Sequence, residues 1–100
     1  MTKLIINVDP DLVDLVPGYF ENRKVELISL KEFFYQKKWH EIQMIGHKLK
    51  GNAASYGFEK LTELGSFLEI AAKEHNHNQI QELISQIEIY LSCVELKLPS

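Results

Sequence analysis

A chain of 100 residues, 45% hydrophobic and 25% charged, has the length and composition of one globular domain spanning residues 1–100. Its net charge of −3, with 11 scattered basic residues, offers no basic footprint for nucleic acid. The lone Cys93 excludes an internal disulfide, and no apolar run approaches the roughly 18 residues of a membrane span.

Residues 1–8 read as an extended lead-in, and Met1–Asn7 turns polar too early for a signal peptide. A cytoplasmic protein is the expectation. Asp9 is a candidate N-cap with Pro10 at the first helical position, predicting a short helix to about Val16. Pro17 opens a second helix, to about Gln36, with Val16, Phe20, Leu27, Leu30 and Phe34 on one face. Lys37-Lys38 connects it to a helix from about Trp39 to Tyr56.

Gly57 follows as a residue suited to a left-handed helix terminus. The next helix, about Phe58 to His75, buries Leu61, Leu64, Leu68, Ala71 and Ala72. Gly65 borders that stripe and allows a neighbouring helix to come close. Glu74 to Asn78 is a polar break. The last helix, about Gln79 to Leu96, carries Ile80, Leu83, Ile84, Ile87, Leu91 and Val94 on one face. Period-two alternation is nowhere sustained, so no strand is predicted. The fold class is all-α: a short helix at about 9–16, then an up-down four-helix bundle over about 17–98.

The Trp39–Tyr56 helix has an informative outer face. Ile42, Ile45, Leu49, Ala53 and Tyr56 fall within roughly 40° of one direction, and His47 points about 160° away from it. The imidazole therefore faces solvent. Its helical neighbours are Gln43, Lys50, Gly51 and Ala54. An unperturbed imidazole, of pKa about 6.5, is largely neutral at pH 7 and is then a nucleophile toward phosphorus. Lys50 supplies a cation for the oxygens of a phosphoryl group. Lys48 lies about 100° from His47 around the helix and is the weaker phosphate candidate. Gly51 costs a helix interior about 0.8–1.0 kcal/mol relative to Ala, so clearance for a phosphoryl group or a partner is its candidate role. Gln43 is a possible polar neighbour of the ring. Met44 and Ala54 flank the histidine and, with Lys48, form a candidate docking patch.

The run His47, Leu49, Lys50, Gly51, Ala53 and Gly57 resembles the phosphorylation motif of histidine-containing phosphotransfer (HPt) domains. The likeness continues through Leu61, Leu64, Gly65 and Glu69. Val8-Asp9-Pro10-Asp11-Leu12 and Pro17 to Lys24 resemble the leading segment of free-standing bacterial members. The resemblance implies a four-helix bundle with His47 as phosphoacceptor. It implies that Glu69, where the family often has Gln, orients the imidazole by accepting Nδ1–H and leaves Nε2 free. It also implies partners: receiver domains of response regulators and an upstream histidine kinase, acting directly or through its own receiver domain.

No phosphate-binding glycine loop or acidic magnesium cluster is visible, so no cofactor is expected on this chain. Any Mg²⁺ would belong to the partner receiver domain. The chain reads as a phosphocarrier, not a turnover enzyme. The alternative reading is a helical adaptor that binds a signalling partner through the same face without phosphorylation. His40, about 10.5 Å of helix rise from His47, and His75 and His77, in a polar loop, suggest no metal site.

Overall fold

Four helices and one two-stranded sheet make up the structure, a computed structural model that describes residues 3–100. Met1 and Thr2, part of the expected lead-in, lie outside the described residues. The chain runs β1 (Leu4–Asn7), a 3-10 turn (Pro10–Leu12), α1 (Val16–Tyr35) and α2 (Trp39–Asn52). A second 3-10 turn (Ala53–Tyr56), α3 (Glu59–Lys73), α4 (His77–Cys93) and β2 (Val94–Lys97) follow. The molecule is mostly helical, as the apolar periodicities require.

α2 packs on α3, α3 on α4, and α1 against both α4 and α2. Apolar stripes meet along the middle. Val16, Phe20 and Leu30 come from α1, Ile42 and Leu49 from α2, Leu61, Leu64 and Leu68 from α3, and Ile80, Leu83 and Ile87 from α4. Phe58, just ahead of α3, is fully buried and stacks on Phe20 with ring centroids 5.7 Å apart. Leu27 and Phe34, expected in the α1 stripe, are only half-buried against this core.

Two expectations need correction at the chain ends. The predicted helix from Asp9 to Val16 is a single 3-10 turn. Asp9 does cap it, accepting the Asp11 N–H at 2.8 Å. However, α1 already begins at Val16, with Pro17 in its first turn, where a missing N–H costs nothing. Val13 to Leu15 instead form a turn, closed by the Leu15 N–H on Leu12 O at 2.9 Å, that leads into α1. Likewise α4 stops at Cys93 instead of continuing to Leu96. Val94 is extended, and Val94–Lys97 alternates inward Val94 and Leu96 with outward Glu95 and Lys97. This segment pairs in parallel with β1, Leu4 beside Val94 through Asn7 beside Lys97, and Val8 N–H extends the ladder to Lys97 O at 2.9 Å.

Three helical segments end in one way. The N–H groups of Lys37 and Lys38 reach Phe34 O and Phe33 O, those of Gly57 and Phe58 reach Ala54 O and Ala53 O, and those of His75 and Asn76 reach Ala72 O and Ala71 O. Each is the double bond of a Schellman ending, with its pivotal residue at positive φ: Lys37 at 57°, Gly57 at 97° and His75 at 54°. Asn76 then caps α4 by accepting the Gln79 N–H at 3.1 Å.

Candidate functional site

Two glycines set the distance between α2 and α3. A Cβ on Gly46 would lie 2.7 Å from Glu69 N and 2.8 Å from Gly65 O. A Cβ on Gly65 would lie 2.6 Å from Leu49 Cβ and 2.9 Å from Gly46 O. Backbone thus meets backbone where any larger residue would force the helices apart. Gly46 precedes His47, and Gly65 stands one turn before Glu69. The close crossing brings those two side chains within bonding range.

His47 projects outward from α2, its side chain 63% exposed. Its Nδ1 lies 2.7 Å from Oε2 of Glu69, whose side chain is only 18% exposed. A carboxylate accepts and cannot donate, so this contact needs hydrogen on Nδ1. In the neutral ring Nε2 then carries the free lone pair, on the exposed side. The other Glu69 oxygen, Oε1, accepts from Lys50 Nζ at 3.3 Å. One carboxylate therefore holds the ring and the cation together. Partial withdrawal from water pushes the Glu69 carboxyl up, but hydrogen bonds from His47 and Lys50 and their charges outweigh it, and hold it below its ordinary 4.5.

Gly51 is exposed, and a Cβ built there meets nothing within 4 Å. The space above the helix is open. Gln43 is half-buried one turn before His47 and makes no side-chain hydrogen bond among the described residues, so it is not joined to the ring. Lys48 points the other way: its ammonium pairs with Glu26 of α1, which also contacts Arg23 Nε at 3.3 Å. Met44 is half exposed and Ala54 is exposed, as are Phe67 and Ile70 on α3. Apolar surface thus lies on both helices that carry the His47–Glu69 pair.

Below His47 the α2 terminus is tied on two sides. Asn52 accepts the Tyr19 hydroxyl at 2.6 Å, and Tyr19 stacks on Tyr56 with centroids 4.1 Å apart. Burial pushes the Tyr19 hydroxyl pKa up, against the lowering effect of Arg23, whose guanidinium lies 4.3 Å over the ring. From α3, Thr62 Oγ1 accepts the Ala54 N–H at 2.7 Å and donates to Leu49 O at 3.4 Å. Those bonds fasten the α2 terminus to α3, with Leu49 O also accepting the Ala53 N–H.

Sequence reasoning did not single out Gly46, Asn52 or Thr62 as supports of the site. A glycine one residue before His47 was the available signal for the first. The others join residues 33 and 8 apart and leave no local pattern. Of the two histidines expected in a polar loop, His75 lies in the turn between α3 and α4, and His77 does not. His77 opens α4 and packs 4.7 Å from Phe34, while His75 lies 6.4 Å from Trp39. Among the described residues no group of three or more His, Cys, Asp or Glu side chains is placed to hold a metal ion. Among the described residues no helix is long and apolar enough to cross a membrane.

Comparison with known families gives one match: the family model described as Hpt domain covers residues 13–95. Neither the search of curated proteins nor that of solved structures returned a match. The matched span holds all four helices and every candidate site residue.

Proposed function

We propose, on the premise that the chain belongs to the Hpt domain family, that it carries a phosphoryl group on His47 Nε2. Members of that family take part in phosphotransfer in two-component signalling, as carriers that meet receiver domains. The donor here would be a sensor kinase or its receiver domain, and the acceptor the receiver domain of a response regulator. The observation that carries this reading is the His47–Glu69 contact at 2.7 Å, which holds an exposed ring by Nδ1 and leaves Nε2 without a partner among the described residues.

The chemistry follows from that arrangement. The Nε2 lone pair attacks phosphorus of an aspartyl phosphate, the P–N bond forms, and the P–O bond to the aspartate carboxylate breaks. The ring gains positive charge as it is phosphorylated, and the Glu69 carboxylate at Nδ1–H stabilises that charge. Lys50, 3.3 Å from Glu69 in the resting chain, is one turn from His47 and offers its ammonium to the phosphoryl oxygens. Open space at Gly51 admits the incoming partner. Met44, Ala54, Phe67 and Ile70 supply apolar surface around the approach, while Lys48, tied to Glu26, serves the rim of the docking patch. The reverse step returns the phosphoryl group to a carboxylate, so the chain is regenerated and not a turnover catalyst.

The short connections and the cyclic packing of α1 to α4 support an up-down course for the bundle. We treat residues 1–100 as one domain and place it in the cytoplasm, where receiver domains act.

The test is intact-protein mass spectrometry after mixing with phosphorylated receiver domains. Wild type is expected to gain one phosphate, stable in base and lost in acid, and His47→Ala to gain none while keeping its helical circular dichroism. Partner binding that survives His47→Ala, with no phosphohistidine in wild type, would replace this reading with the adaptor.

A further inference from the structure

The end of the bundle away from the phosphoacceptor pair carries a second unfinished surface. β1 uses one edge to pair with β2, and among the described residues no backbone group hydrogen-bonds to its outer edge. Exposed edges in native proteins are ordinarily blunted by charge, proline or a bulge. β2 follows that rule with Glu95 and Lys97. β1, Leu4-Ile5-Ile6-Asn7, has none of these devices, and Leu4 and Ile5 are 46% and 57% exposed. Beside it lies an open apolar cleft of about 870 Å³. Leu4 and Ile6 line it from the strand, Leu64 from α3 and Ile89 and Tyr90 from α4, with Glu59 and Lys60 the charged residues of an otherwise mainly apolar lining.

A strand edge selects its occupant by backbone complementarity, so it takes an extended segment, and the apolar cleft asks for uncharged side chains. The segment of this chain that is extended, exposed and free of charge is β1 itself. We infer that β1 pairs antiparallel with β1 of a second copy, joining two sheets into one of four strands in a two-fold dimer.

The register follows from the side chains. With Ile5 opposite Ile5 on the axis, Leu4 stands opposite Ile6 of the other copy. Opposed residues share a face of the sheet. Leu4 and Ile6 of the second copy therefore extend the cleft-facing side by one strand spacing, about 4.8 Å. The exposed Ile5 side chains cover each other on the opposite face. Charge agrees with this direction. Lys3, which pairs with Glu95 of its own chain at 3.4 Å and stays 75% exposed, lies at one end of the strand, and Asp9 just beyond the other. Antiparallel pairing brings Lys3 of each copy toward the Asp9 end of its partner, whereas parallel pairing would set like charges side by side. A four-residue edge gives a small interface, so the association is weak and concentration-dependent. The cleft includes none of His47, Lys50 or Glu69, so both phosphoacceptor faces stay open in the dimer.

Sedimentation equilibrium of the full chain across a wide concentration range tests this. Wild type is expected to rise from one chain mass toward two. Ile5→Lys should stay at one chain mass throughout, with unchanged helical circular dichroism and unchanged phosphate uptake at His47. Lys3→Ala, which removes the charge without setting two carboxylates together at Glu95, should move the association to higher concentration. A mixed-label sample should show intermolecular NMR contacts between Ile5 methyl groups. A wild type that stays monomeric overturns the inference, and so does a dimer that both variants leave intact or that lacks the Ile5 contact. Monomeric protein whose Leu4 and Ile89 signals shift on adding decanoate would instead assign the cleft to a small amphiphile.

Discussion

Glu69 is the residue on which the site's electrostatics turn. Its two oxygens reach His47 Nδ1 and Lys50 Nζ, so removing the carboxylate changes the ring and the cation together. In Glu69→Ala, Nδ1–H loses its acceptor, and nitrogen NMR should show the ring shifting toward the Nε2–H tautomer, with slower phosphorylation. A ring whose tautomer balance does not change would mean that the contact does not orient it. The carboxylate also links stability to pH. Its folded pKa lies below the ordinary 4.5, so the unfolded chain takes up the proton first as acid is added. The stabilisation is complete above about 4.5 and is lost as pH falls through the lower folded value. Urea midpoints of wild type and Glu69→Ala should therefore differ at neutral pH and converge below 4.5. A constant gap across that window would assign the stabilisation to packing. The helical phase of the sequence alone displays His47, Lys50 and Gly51 together, because those relations are local. The Glu69 partnership spans 22 residues and crosses helices, so it enters the sequence reading only through resemblance to a family.

Glycines at the α2–α3 crossing separate two kinds of small residue on one element. Gly46 and Gly65 lie where backbones touch, and Gly51 lies in open space. Gly51→Ala should raise stability by up to about 1 kcal/mol through helix propensity, while adding bulk beside the proposed phosphoryl position. Gly46→Ala should lower it by about 1–3 kcal/mol, since a methyl at 2.7 Å from Glu69 N must push α3 away. Denaturant midpoints moving in opposite directions would confirm the distinction; a stabilising Gly46→Ala would refute the close crossing. The helix endings offer a complementary test. Lys37 and His75 hold left-handed conformations that glycine adopts freely, at φ 57° and 54°. Lys37→Gly and His75→Gly are each expected to stabilise by up to about 1 kcal/mol, because an L side chain at positive φ costs about that much. These endings were poorly legible in the sequence, as neither residue carries the usual glycine signal, whereas Gly57 does. The helices themselves were legible because each apolar stripe repeats over several turns. The strands were not. Each has four residues, too few to show a period, and their parallel pairing joins the two ends of the chain.

At the scale of the whole molecule, the α1, α2 and α3 contacts converge on Phe58. It is fully buried, its ring stacks on Phe20 at 5.7 Å and lies 5.8 Å from Tyr19, and its N–H closes the α2 terminus on Ala53 O at 3.0 Å. Tyr19 in turn binds Asn52, at the last turn of the helix that carries His47. The geometry at His47 and core packing are thus parts of one mechanical unit. Deleting a buried phenyl ring costs about 3–5 kcal/mol, against a total stability of about 5–15 kcal/mol for a domain of this size. Phe58→Ala should therefore lower the melting temperature by about 12 °C or more. Because the ring packs on α1 while its own backbone joins the end of α2 to the start of α3, the loss should be shared by all three. Far-ultraviolet circular dichroism and the His47 ring signals in NMR should then melt in one coincident transition. Separate transitions, with the His47–Glu69 pair surviving after the core has loosened, would show that α2 and α3 hold the site without the rest of the bundle. The close glycine crossing would then be sufficient for the site, and the Phe58 layer would serve stability alone.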